Sequence, residues 1–438
     1  IDAEWWGVAV EIIVFLYSFV GIAVVADSHL TPSLETLCHR WGIPGDVAGA
    51  SFLALGAAAP EIVVASVSTA KTIVASQNGH LSPSAAFASS LGVSSIIGSG
   101  MMAFTLIPGL CALAVPRPML LKRRPLARDA VIYLVSLVLL SGVIREERAY
   151  LHDAVLMLIL YAVYLLATAL APWVRESYRV SVGMEPRSSR RSDMSSVSIE
   201  ASESVMERSG GADALAKPLT DKATDDGDDD DDDDGPTPWY GVPFQPLMAL
   251  LRVTCPECEV DSETEHLYPV TFAMSLLWLT IFSTALSAAV TRWGTLLNVP
   301  GTAMGMYVIA VGAQIPDTLS AVAIARRGHG SMAVASSVGS QVINVLIGLG
   351  FPWFLATSAG IPVQLAGIEE LIDMLYLMCG CAALYLLVLL APSAPSWGRE
   401  GHAILGRTQG IILLAGYAVV AIGYAVKCYF GVHFEGSA

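Results

Sequence analysis

Residues 44–61 read PGDVAGASFLALGAAAPE and residues 300–317 read PGTAMGMYVIAVGAQIPD. At a constant offset of 256 the two stretches share Pro44/Pro300, Gly45/Gly301, Gly49/Gly305, Ala54/Ala310, Gly56/Gly312, Ala57/Ala313 and Pro60/Pro316, and both end in an acid, Glu61 and Asp317. Further along, Ser94-Ser95-Ile96-Ile97-Gly98-Ser99 is echoed by Ser336-Ser337-Val338-Gly339-Ser340. The chain therefore contains an internal repeat, and its meaning depends on how many membrane spans lie between the copies.

Apolar runs of about 20 residues cross a bilayer. Five such runs precede residue 175, at roughly 5–26, 46–70, 86–114, 129–144 and 151–171, and five follow residue 266, at roughly 268–290, 302–325, 332–357, 370–391 and 409–430. Five spans, an odd number, separate the copies, so the second enters the membrane from the opposite side. That is an inverted-topology repeat, a frequent architecture of secondary transporters. The predicted fold class is an all-α membrane protein of about ten transmembrane helices in two inverted five-helix repeats with a central cytoplasmic loop.

Proline removes a backbone donor and displaces the carbonyl four residues back. Gly56 and Pro60 are accordingly expected to interrupt one span, and Gly312 and Pro316 its counterpart. Irregular backbone at membrane depth is tolerated only where it is buried in protein or lines a cavity. An acid follows each expected break, and an ionisable residue inside an apolar span marks a functional site by default. The two half-sites should meet near the membrane midplane.

The 438 residues are 54% hydrophobic and 14% charged, yet the formal net charge is −15. A soluble chain carries about 25% charged residues. The composition excludes a basic nucleic-acid binder and a largely disordered chain, and seven scattered cysteines exclude a disulfide scaffold. Residues 172–265, which include the unbroken run Asp228–Asp234, carry a net charge of −13, leaving −2 for the remainder. The chain reads as a first transmembrane half at 1–171 (repeat about 44–115), an acidic and mostly disordered cytoplasmic loop at 172–265, and a second half at 266–438 (repeat about 300–357). It begins at Ile1, as a processed or truncated product would.

Basic residues set orientation. Arg117, Lys122, Arg123, Arg124 and Arg128, then Arg175, Arg179, Arg187, Arg190 and Arg191, then Arg326 and Arg327, then Arg399 and Arg407 all fall on one side of a ten-span chain. That side is taken as cytoplasmic, with both termini outside. The other side holds scattered bases such as Lys71, Arg145, Arg148 and Arg292.

At these residues the chain resembles the calcium/cation antiporter superfamily, whose two repeats carry signatures near G-[ST]-[SA]-x-P-E and G-T-S-x-P-D. Gly45-Asp46-Val47-Ala48-Gly49-Ala50 and the stretch from Asp317-Thr318 through Gly339-Ser340 to Pro352-Trp353 are similar to the potassium-dependent branch of the sodium/calcium exchangers. The resemblance implies that Glu61 and Asp317 bind calcium and sodium in turn, and that the Ala54 and Ala310 carbonyls ligate sodium. It also implies that Ser99 and Ser340 supply hydroxyl ligands. Asn344 matches the position that is usually Asp in the potassium-dependent branch, which argues against potassium coupling. The first and sixth spans are expected to slide across the bundle to give alternating access.

The chain also departs from that pattern. Ala57, Ala58, Ala313 and Gln314 stand where the family has hydroxyls, and Ala103 where it has an amide. Calcium takes 6–8 oxygens at roughly 2.3–2.6 Å, which two carboxylates, carbonyls, Asn344 and water can supply. Sodium coupling is expected to be weakened or altered. Protons are a plausible replacement, because a carboxylate stripped of water holds a proton more readily. The implied function is exchange of Ca²⁺ for Na⁺ or H⁺. The alternatives are an H⁺- or Mg²⁺-coupled cation exchanger, and a transport-inactive, sensor-type relative. The expected partners are inorganic cations and the lipid bilayer, with no cofactor, and the plasma membrane is the expected location. Enzyme function is not expected, since the Tyr-Asp and Gly-x-Gly-Asp contexts of an intramembrane aspartyl dyad are lacking.

Other groups read more plainly. Cys255-Pro256-Glu257-Cys258 is expected to be two incidental thiols, since a structural zinc needs four ligands and only His266 lies near. His29, His39 and His80 are expected in solvated loops, and Glu369, Glu370 and Asp373 at a polar mouth of the ninth span. The Asp228–Asp234 run reads as a solvated, self-repelling linker rather than a calcium sensor.

Overall fold

A computed structural model describes residues 5–41, 54–76, 83–181, 245–256, 258, 264–326, 328, 330–390 and 402–435. The first half comprises α1 (Trp5–Val25), α2 (Thr31–Arg40), α3 (Ala54–Ser76), α4 (Pro83–Met101), α5 (Ile107–Ala114), α6 (Arg123–Arg145) and α7 (Leu151–Ser181). After α8 (Gln245–Thr254), the second half comprises α9 (Tyr268–Leu296), α10 (Gly301–Met304), α11 (Ala310–Arg326), α12 (Gly330–Leu346), α13 (Gly350–Ser358), α14 (Ile368–Leu390) and α15 (Arg407–Glu435). Wide π turns at Ala26–Leu30, Met102–Leu106 and Gly305–Ile309 join α1 to α2, α4 to α5 and α10 to α11. These joined pairs make single spans.

Nine helices among the described residues are long and apolar enough to cross a membrane. The tenth, α3, is 23 residues long but carries Pro60, Glu61 and Lys71 along with several hydroxyls. Five spans in each half result. The fourth, expected as a short run over 129–144, is a 23-residue helix, because Arg123 and Arg128 at one end and Arg145 at the other extend it past the apolar stretch. The first span also outruns its expected end at 26, continuing through the π turn to Arg40.

The helix breaks fall elsewhere than expected. Pro60 lies inside α3 and Pro316 inside α11, and both helices run on through them. Each proline costs its helix one backbone hydrogen bond, a loss that packed neighbours and local adjustment of the turn make tolerable in a membrane span. In the second copy the irregularity sits just before Ala310, in the π turn Gly305–Ile309. Its equivalent in the first copy, 49–53, lies outside the described residues, as do Pro44, Gly45 and Gly49.

The chain divides into a large unit, Ile1–Leu166 with Leu247–Ala438, and a small one, Ala167–Pro246. The described part of the small unit is the end of α7 and the first two residues of α8. Of the nine apolar spans among the described residues, those built on α4 and α12 are the most deeply buried. Against α4 pack α3, α10 with its π turn, α11 and α14; against α12 pack α3, α6 and α11. The approach at Gly305 is so close that a Cβ there would fall on the Ser94 hydroxyl. One at Gly98 would come within 3.0 Å of the Ala310 methyl. Elsewhere the bundle is filled by Phe104 stacked on Tyr133, ring centroids 4.8 Å apart, with Tyr385 edge-on at 5.3 Å.

Two short antiparallel ribbons were not part of the all-α expectation. β1 (Met119–Lys122) pairs with β4 (His402–Leu405), and β2 (Arg148–Ala149) with β3 (Val363–Gln364). They flank α6 and α14, tying together the connections at both ends of these helices. Strand edges of this kind belong outside the hydrocarbon.

The segment 172–265 also contains order that was not expected. α7 runs on to Ser181, and α8 buries Leu247 and Leu251 one turn apart while exposing the apolar Met248, Leu250 and Val253. The Asp228–Asp234 run lies outside the described residues.

Candidate ion-binding site

Glu61 follows Pro60 in α3 and is 1% exposed. A buried carboxylate needs a partner, and it has one from the other repeat. Gln314, on α11, donates from Nε2 to Glu61 Oε1 at 2.7 Å. Asp317 lies three residues further along α11, so it shares a face with Gln314, and it is half-buried. The first copy's acid is thus tied to the helix that carries the second copy's acid.

A second cluster joins α4 to α12. Ser99, on α4, donates from its hydroxyl to Gln341 Oε1 at 3.1 Å, and Asn344, one turn along α12, donates from Nδ2 to the same oxygen at 3.2 Å. Gln341 Nε2 donates to Ser340 Oγ at 3.5 Å. Ser337 Oγ donates to the Ala103 carbonyl at 3.4 Å, again across the repeats. Ser99, Ser340, Gln341 and Asn344 are all buried. Ala310 is fully buried beside Gly98, the neighbour of Ser99. Ala54 is half-buried at the start of α3, and no hydrogen bond among the described residues ties it to either cluster.

Two amide oxygens in these clusters stand out. Gln314 Oε1 and Asn344 Oδ1 are buried and have no hydrogen-bond donor among the described residues. In each amide the NH₂ is already committed, so the oxygen is held as an acceptor. Neutral carbonyl oxygens beside a carboxylate are a donor set suited to a hard cation, and a buried acceptor without a donor is otherwise costly, by about 1–3 kcal/mol.

Sequence reasoning did not assign roles to Gln314 and Gln341. Gln314 was visible only as a departure from a hydroxyl position. Gln341 had a signal, an amide three residues before Asn344 within an otherwise apolar run, which places both on one helix face.

Other expectations fared unevenly. Lys71, expected in an outer loop, lies within α3 and donates to Ser287 Oγ on α9 at 2.9 Å. His29, expected to be solvated, is buried in the π turn Ala26–Leu30, while His39 is exposed on α2 and His80 lies outside the described residues. Asp373 pairs with Lys427. Cys255 and Cys258 are buried and in no disulfide among the described residues, with Thr271 donating to the Pro256 carbonyl at 2.7 Å and Thr36 to that of Cys258 at 3.4 Å. Burial pushes the Cys255 thiol above its ordinary range, although hydrogen bonds from Thr254 and Ser275 pull the other way. Neither thiol belongs to a group of three metal-ligating side chains among the described residues; Glu146, His152 and Asp153 are the group that does.

The profile of the family described as "Sodium/calcium exchanger protein" matches residues 10–170 and 267–424, both halves of the bundle. The chain is 27% identical to human "Sodium/potassium/calcium exchanger 5" over 390 residues, covering 80% of this chain and 71% of that protein. It is 26% identical to "Probable sodium/potassium/calcium exchanger CG1090" of Drosophila melanogaster, covering 80% and 70%. The crystal structure titled "Crystal Structure of H+/Ca2+ Exchanger CAX" superimposes with a TM-score of 0.56 at 11% identity, covering 97% of this chain and 88% of that one. At that identity the likeness establishes the shared fold.

Proposed function

The chain belongs to the sodium/calcium exchanger protein family, and from that premise we propose how its own residues carry out exchange. It is a multi-pass cation antiporter, not an enzyme. Its exported or imported ion is Ca²⁺, exchanged for a monovalent cation, Na⁺ or H⁺, at a site between the two repeats. Glu61 and Asp317 provide the charge, and Asn344, Ser340, Ser99 and the Ala54 and Ala310 carbonyls complete the oxygen set. Gln314 brings an amide oxygen to a position where the family has a hydroxyl.

The observation that carries this reading is the buried Glu61 carboxylate bonded across the repeats to Gln314. A lone buried carboxylate is costly to keep ionised. Calcium cancels its charge, and after calcium leaves, sodium or a proton must do the same, so the site is not emptied of positive charge in passing between the two sides. Asn344, with no charge of its own, removes the extra acid that potassium coupling would use. The basic loops support a reading in which the acidic central segment is cytoplasmic and both termini lie outside, and the plasma membrane is the proposed location.

The test is ⁴⁵Ca²⁺ uptake into proteoliposomes under imposed Na⁺, H⁺ or K⁺ gradients. Uptake driven by an outward Na⁺ or H⁺ gradient and indifferent to K⁺ is expected. Uptake under none of the three would remove the antiporter reading and favour a sensor role.

A further inference from the structure

We propose that Gln341 is a positioning residue that fixes the orientation of the Asn344 amide so that its oxygen faces the transported ion. The proposal rests on the reading of Asn344 as a site residue.

Gln341 is fully buried, and both ends of its side chain are engaged. A carbonyl oxygen has two acceptor positions. Those of Gln341 face the Ser99 hydroxyl from the first repeat, at 3.1 Å, whose one proton is shared with the Ile96 carbonyl at 3.0 Å, and the Asn344 NH₂ from the second, at 3.2 Å. Its own NH₂ faces Ser340. With the Asn344 nitrogen committed in this way, Asn344 Oδ1 must point away from Gln341, and it is buried there without a donor among the described residues. The reversed amide would set two carbonyl oxygens against each other. One neutral side chain thereby determines whether position 344 offers an acceptor or a donor to a cation, and it does so with a bond that spans the repeats. An aspartate at 344 would need no such help, since both its oxygens are acceptors. A chain with Asn there does.

The experiment is a double-mutant cycle read by ⁴⁵Ca²⁺ binding to the purified full-length protein, with size-exclusion profiles confirming that each variant is folded. Gln341→Met, close in length but without an acceptor, should weaken binding about tenfold, the loss of one orienting hydrogen bond. In an Asn344→Asp background the same change should cost less than about twofold, because no amide remains to be oriented. Gln341→Glu, which retains an acceptor for Ser99 and Asn344, should bind at least as tightly as the native protein. Equal losses in the two backgrounds, or a folded Gln341→Glu that fails to bind, would overturn the proposal. Should Gln341→Met fail to fold, Gln341→Glu decides the matter alone. The underlying site reading has its own control: if Asn344→Leu leaves calcium binding unchanged, Asn344 is no ligand and that reading falls. If Asn344→Leu weakens binding while Gln341→Met costs the same in both backgrounds, only the orienting role falls.

Discussion

Gln314 Nε2 donates to Glu61 Oε1 at 2.7 Å, and that bond joins the helix of one repeat copy to the helix of the other. The acceptor is a carboxylate at a buried position, and such a bond is at its strongest when the carboxylate is ionised. Gln314→Ala removes both the donor and the Oε1 that has no donor among the described residues. A hydrogen bond to a charged group contributes about 1.5–3 kcal/mol, so the half-saturating calcium concentration for transport should rise by about ten- to a hundredfold. Measuring initial ⁴⁵Ca²⁺ uptake against calcium concentration checks this, and an unchanged value would show that Gln314 is a bystander.

Gly305 and Gly142 offer a contrast within one protein. A Cβ at Gly305 would fall on the Ser94 hydroxyl, whereas nothing lies within 4 Å of one at Gly142. Gly305→Ala should therefore destabilise the bundle by about 1–3 kcal/mol, the usual cost of overpacking. Gly142→Ala should be neutral or stabilising by about 0.5–1 kcal/mol, since it sits in α6, where glycine is the poorer helix former. Thermal unfolding in detergent of the two variants side by side gives the comparison.

Much of this fold was legible in the sequence because bilayer thickness sets a length that apolar runs must meet. The repeat then fixed which spans correspond. The glycines and prolines at 56, 60, 312 and 316 misled as to where the helix breaks, because a membrane helix packed among neighbours can absorb the one hydrogen bond a proline removes. The actual irregularity, Gly305–Ile309, is a π turn with no single residue to announce it. At the site, the acids stood out as charges in apolar surroundings. Gln341 and Gln314 did not, because the importance of an amide lies in which of its two ends is engaged, and that depends on tertiary contacts. The joining of Ser99 to Gln341 across 242 positions is of that kind.

Asp373 and Lys427 pair between α14 and α15 with much of both side chains exposed. Exposed pairs are worth about 0–1 kcal/mol. Asp373→Asn should leave both the unfolding temperature and calcium transport close to native values. A loss of transport without loss of stability would instead assign this mouth a gating role.

Cys255 and Cys258 should behave as packed thiols. Both are buried, and the raised pKa of Cys255 leaves less thiolate near neutral pH than an ordinary cysteine has. Maleimide labelling of Cys255 should be slow at neutral pH and accelerate as pH rises. Cys255→Ser with Cys258→Ser should transport normally, and zinc chelation should have no effect. Loss of transport on chelation, restored by added zinc, would reveal a metal site there.

Glu61 and Asp317 are proposed to hold the transported ion together between the repeats. The most direct measurement is calcium–calcium exchange, in which ⁴⁵Ca²⁺ enters proteoliposomes preloaded with unlabelled calcium, since it needs the site and the alternating movement but no coupling ion. Glu61→Gln and Asp317→Asn should each reduce this exchange to background while the protein remains monodisperse. Exchange at the native rate in both variants would contradict the assignment of the site to these two acids.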